Sequence, residues 1–146
     1  MSSFGLPTAA GLALWLGVGV LLPHEALPVA SWLVWGLTFV GATTERFPLT
    51  ARQAALALQA AAGVTCALTG PSLATALLAA TAGQLPFFVG TWPAAGLALA
   101  QLAVVALAEG LRDGWDDAAL VTAIYGGLQA FALGAATLAV RERAAR

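Results

Sequence analysis

Lysine is absent from this 146-residue sequence, and charge of either sign is scarce: six arginines and seven acidic residues make up 9% of the chain. Set against 60% apolar residues, so few charges cannot coat a water-soluble globule, and the composition is that of an integral membrane protein. The net charge of −1, with arginines spread over the whole length, excludes a nucleic-acid partner, because neutralising phosphates needs a concentrated basic face. The single cysteine, Cys66, lies in an apolar stretch. It has no partner for an internal disulfide and reads as a small buried hydrophobe, with a redox sensor as the alternative. The single histidine, His24, stands beside Glu25 with no second His or Cys placed to complete a metal site, and no nucleophile, base and orienting group assemble around it. Without lysine, none of the glycines belongs to a phosphate-cradling loop. The chain therefore offers no catalytic residue, no cofactor-binding residue and no metal ligand. No basic segment precedes the first apolar run, which favours a retained span over a cleaved signal peptide.

What the sequence does have is apolar length. Proline, glycine and charge punctuate it into six segments, at about 6–22, 28–44, 51–69, 72–89, 93–111 and 117–140. Each is of the order of the roughly 20 residues needed to cross a ~30 Å hydrocarbon core at ~1.5 Å per residue. The expectation is an all-α membrane protein, a six-helix transmembrane bundle. Pro23, His24, Glu25 and Pro28 make the first connection, and Glu45, Arg46 and Pro48 the second. Thr50 with Gln53 has the form of a capping box and predicts a third helix from Ala51. Thr69-Gly70-Pro71-Ser72 reads as a hairpin turn in which Gly70 supplies a positive φ. Gly90-Thr91-Trp92-Pro93 repeats the device. Within the fourth segment, Pro86 is placed to kink the helix, with Gln84 near enough to satisfy a freed carbonyl. The one markedly polar loop comprises Glu109, Arg112, Asp113, Gly114, Trp115, Asp116 and Asp117, and Asp116 or Asp117 is placed to cap the sixth helix.

Basic residues are retained on the cytoplasmic side of a membrane. With both termini inside, the inner segments hold Arg46, Arg52, Arg141, Arg143 and Arg146, and the outer ones hold Arg112 alone. This orientation puts Trp92 and Trp115 at interfaces, as an aromatic belt requires, whereas Trp15 falls in mid-span. The equal span counts of the two halves invite an inverted-repeat transporter reading, but no motif is shared between them.

Three glutamines, Gln59, Gln101 and Gln129, fall close to the midplane. An amide in hydrocarbon needs a partner, so these three are candidates for an intramembrane polar layer, either as ordinary helix glue or as a switch sensitive to packing and hydration. In the last segment Gly126, Ala130 and Gly134 recur every four residues and form a candidate helix-packing strip, facing either another span of the same chain or a second chain. The segment then runs into Arg141, Glu142, Arg143 and Arg146 with no Gly, Pro or Asn to stop it. Glu142 and Arg146 are spaced to support a helix. These four residues are the candidate signal output helix, the start of a cytoplasmic rod over 141–146, and the chain reads as the front part of a longer protein.

Six compact Leu/Ala-rich spans, the TGPS hairpin, the AGQLPFF segment from Ala82 to Phe88 and the closing LAVRERAAR from Leu138 to Arg146 together resemble the N-terminal membrane-sensor region of bacterial sensor histidine kinases of the DesK-like, NarL-group type. The resemblance implies a signal-input domain over 1–140 in the cytoplasmic membrane. Its last helix would continue into dimerisation and ATP-binding domains that are not in this chain. A homodimer, and a response regulator reached only through those domains, are implied with it. ATP and Mg are implied for the kinase domains alone, and no position here matches a phosphoacceptor box. The runner-up is a small stand-alone six-span protein, transporter-like or a membrane scaffold.

Overall fold

Proline and glycine set the helix boundaries before any packing is considered. The computed structural model describes residues 5–146, with the side chain of Leu6 excepted, so the stretch before the first span lies outside the described residues. All regular structure among them is helical. Helix α1 (Leu6–Leu21) begins with Pro7 in its first turn, where the missing N–H costs nothing. Helix α2 spans Ala26–Thr43 and α3 spans Leu49–Thr69. A 3-10 turn (Ser72–Thr75) leads into α4 (Ala76–Gln84), and Pro86 opens the single-turn α5 (Pro86–Val89). Helices α6 (Thr91–Arg112) and α7 (Trp115–Ala145) complete the chain.

Four stretches are long and apolar enough to cross a membrane: Ala26–Thr43, Ser72–Val89, Thr91–Arg112 and Trp115–Ala145. Helix α1 is shorter, at 16 residues, and α3 carries Arg52, Gln53 and Gln59 along its length.

The local caps differ from those the sequence predicts. Pro48, not Thr50, is the N-cap of α3: its carbonyl accepts from the Arg52 N–H at 3.1 Å, so Leu49 and Thr50 are already helical. Helix α7 is capped by Gly114 at φ 103, and Asp116 and Asp117 fall inside its first turn, where their charge still favours the positive end of the helix. Gly70 is extended (φ −105, ψ −168), not left-handed. Its lack of a side chain matters for another reason, since a Cβ there would meet the Cys66 carbonyl oxygen at 2.7 Å. Positive φ belongs to Gly90 and Gly114.

The chain divides into two units, residues 1–77 and 78–146. In the first, α2 packs along α3 and α1 packs on α2. Two tryptophans lock the α1/α2 pair. Trp15 and Trp32 stack with ring centroids 4.5 Å apart and 11° between their planes. Each indole N–H donates to the other residue's backbone carbonyl, Trp15 Nε1 to Trp32 O at 2.8 Å and Trp32 Nε1 to Trp15 O at 2.7 Å. Four residues after each tryptophan comes a glycine, Gly19 and Gly36. The carbonyl of a helical residue bonds the N–H four residues on, and the side chain at that position leans back over it. A glycine there uncovers the carbonyl for a second donor, and the opposing indole occupies the space: a Cβ on Gly19 or Gly36 would lie 2.4 Å from the ring of Trp32 or Trp15 respectively. Trp15 is thus in mid-span because it is half of a clasp. Trp35 stacks on Phe39, which in turn fills the space over Gly11. Cys66 is buried with its thiol in hydrogen-bonding reach of Ser31, in accord with a small core residue.

In the second unit α6 and α7 form a hairpin, and α5 packs on both. Close approaches of Gly126 to Leu102 and of Gly110 to the Trp115 ring fix an antiparallel register.

Candidate functional site

Helix α7 contains 31 residues, which at ~1.5 Å per residue is about 46 Å. It does not stop at Val140 but carries Arg141, Glu142 and Arg143 within the same helix. Ala118, Gln129 and Ala136 make a narrow buried stripe, while Leu120, Ile124, Phe131 and Leu138 are exposed. Two contacts hold its C-terminal half. Gly83 of α4 approaches Ala132 closely enough that a Cβ there would be 3.5 Å from the alanine's own. In the last turn of the helix, the Arg143 guanidinium lies 5.2 Å from the centroid of the Phe87 ring on α5, a cation–π contact worth about 0.5–1 kcal/mol where solvent reaches it. The AGQLPFF and LAVRERAAR segments therefore meet in space. Arg141, Glu142, Arg143 and Arg146 are all exposed, and Arg146 pairs with Glu142.

The buried residues of the α6/α7 hairpin include polar groups among small apolar ones. On α6, Gln101, Val105 and Glu109 recur every four residues and are all buried. On α7, Thr122, Tyr125 and Gln129 share one face by their spacing of three and four. Glu109, which the sequence assigns to the loop, is a helical residue only 3% exposed. A carboxylate taken out of water requires a partner. Arg112, one turn on, supplies it through Nη2 and donates through Nε to Asp113 at 3.1 Å. Grouping Glu109 with the neighbouring charges conceals its role. The signal that finds it is the repeat of four from Gln101.

Of the three expected midplane glutamines, Gln59 is fully buried on α3 in the first unit, and Gln101 and Gln129 belong to the second. The side-chain Oε1 and Nε2 of Gln129 have no hydrogen-bond partner among the described residues, nor has Gln101 Oε1, so no hydrogen bond joins these two. The glycine strip also divides. Gly126 packs against Leu102, whereas Gly134 has open space where a Cβ would stand and Ala130 is exposed. Among the described residues no three His, Cys, Asp or Glu side chains gather to hold a metal ion, and His24 is an exposed loop residue.

The chain matches no protein-family model, no curated protein and no solved structure.

Proposed function

We propose that this chain is the signal-input module of a membrane sensor, of the sensor histidine kinase type, with α7 as its output. The observation that carries the reading is the unbroken run of α7 from Trp115 to Ala145. At about 46 Å it exceeds a ~30 Å hydrocarbon core by roughly ten residues, so a displacement at one end reaches the other through a single rod. Its support from this chain is narrow, a buried stripe on α6 and α5 and the Arg143 contact to Phe87. A narrow seat favours two alternative positions of similar energy, which a change in the membrane or at the Asp113–Asp117 loop would bias.

The same reading has six crossings in the cytoplasmic membrane with both termini inside, motivated by five arginines on the inner side against one outside. A reporter fused at Gly114 should read extracytoplasmic, and a cytoplasmic signal there would overturn the orientation.

The output role has its own test, in the protein carrying whatever kinase domains are encoded after Arg146. One Ala inserted after Val140 rotates everything beyond it by about 100°, and seven nearly restore the face. The single insertion should lock or abolish kinase output, and the seven-residue insertion should keep it regulated. Output indifferent to insertion length, or a stop codon directly after Arg146, overturns the reading.

A further inference from the structure

We propose that the α6/α7 hairpin binds water within its interior, held by the side chains of Gln101, Gln129 and Thr122. Gln129 is 2% exposed and Gln101 8%, and the Oε1 and Nε2 of the first, the Oε1 of the second and the Oγ1 of Thr122 are all buried without a partner among the described residues. Thr122 stands apart from the threonines of α2 and α3. Thr38, Thr43, Thr65 and Thr69 each donate to the carbonyl four residues back in their own helix, the usual refuge of a hydroxyl among apolar neighbours. Thr122 leaves that bond unmade.

The register brings the three groups to one region. With Leu102 opposite Gly126, Gln101 is level with residue 127 of α7, about 3 Å along the axis from Gln129 and about 7.5 Å from Thr122. Buried amides and hydroxyls in native proteins are hydrogen-bonded, to ordered water where protein offers nothing, and such water takes two to four polar partners.

The chemistry of the site selects its occupant. It presents donors and acceptors in equal readiness and no net charge, because Glu109 is already paired with Arg112; neither a bare cation nor an anion is matched by it. Leu102 closes on Gly126 so tightly that a Cβ there would stand 3.0 Å from its Cδ2, which holds α6 and α7 close together beside these groups. Lipid chains cannot serve, since they carry no hydrogen-bonding group.

The test uses the whole chain in bilayers of perdeuterated lipid, with glutamine side chains labelled with nitrogen-15. Solid-state magnetisation transfer from water protons to each side-chain Nε2 is compared between Gln129 and Gln53, which is exposed on α3. Transfer to Gln129 comparable with that to Gln53 is expected. Transfer to Gln53 with none to Gln129 would overturn the proposal. Sequential correlations in the unaltered chain assign the resonances, so the reading does not depend on a variant that folds. As a second measure, Gln129→Met should lower the thermal midpoint by several degrees, because it removes a host of the water. A rise would mean a dry, unpartnered amide had been relieved, and would equally overturn the proposal. This inference stands apart from the signalling role, and a dry result leaves the insertion test unaffected.

Discussion

The two units of this chain treat their polar groups in opposite ways. In residues 1–77 the polar side chains close on the backbone. Both indoles of the α1/α2 clasp donate across the helix pair, Thr38, Thr43, Thr65 and Thr69 bond their own helices, Ser31 bonds Pro28 O at 3.0 Å, and Arg52 Nε donates to Ala42 O at 2.9 Å. Among the described residues, the Oγ1 atom of Thr75 and the Oε1 atom of Gln59 are buried there with no hydrogen bond to that atom. In residues 78–146 the buried polar groups are held by other side chains, as with Glu109 on Arg112, or are left for something smaller, as with Gln101, Thr122 and Gln129. A fully satisfied network resists rearrangement because every move breaks a bond that hydrocarbon cannot replace. By that argument the first unit, with more of its polar side chains bonded to backbone, should yield less readily than the second. The long helix α7 lies in the second.

This contrast can be broken by glycine substitution, with the largest effect expected in the first unit. Gly36→Ala drives a methyl into the Trp15 ring and re-covers the Trp32 carbonyl. Stacking and both indole hydrogen bonds must yield together, for a loss of about 2–3 kcal/mol in detergent or bilayer unfolding. Gly19→Ala should behave alike, and the double variant should cost clearly less than the two single losses combined, because either one already opens the clasp. Full additivity would mean that the two tryptophans act independently.

A smaller loss is expected in the second unit. Arg112→Leu strips the Glu109 carboxylate of its partner while the guanidinium it removes is partly in solvent, so about 1 kcal/mol is expected in the same unfolding measurement. Pairing it with Glu109→Gln should restore most of that. If the pair is no better than Arg112→Leu alone, Glu109 is held by something other than Arg112.

The smallest effect sharpens the comparison most. Gly134 on α7 has nothing within contact of a would-be Cβ, so Gly134→Ala should be neutral or stabilising by up to about 1 kcal/mol through helix propensity. A loss approaching that at Gly36 would show that this face of α7 is packed against a surface from outside this chain.

The helical class and the approximate limits of the apolar segments were legible in the sequence, because the devices that end a helix are local. Pro7, Pro48, Pro86, Gly90 and Gly114 act on their own dihedrals and on neighbours within a turn. Even there, Thr50 with Gln53 looks like a capping box, yet the helix had already started at Leu49. A side-chain cap is optional where a backbone carbonyl serves. Glu109 was misread for a related reason: charge by itself suggests a loop, and only its helical spacing from Gln101 and Val105 reveals a buried face. The clasp was half legible. Trp-x-x-x-Gly occurs at both Trp15 and Trp32, 17 residues apart, a repeat between neighbouring helices that a comparison of chain halves passes over.

The sequence by itself therefore determined that the chain is helical, that it carries several stretches suited to a membrane, and that α7 meets no breaker between Gly134 and Ala145, since each of these depends on interactions within about four residues. Only the tertiary structure decided what those helices do with their polar atoms. Whether an indole, a carboxylate or an amide finds a partner depends on residues placed opposite it by the crossing and register of two helices. Those are set by the sum of many packing contacts, and no short stretch of sequence carries them.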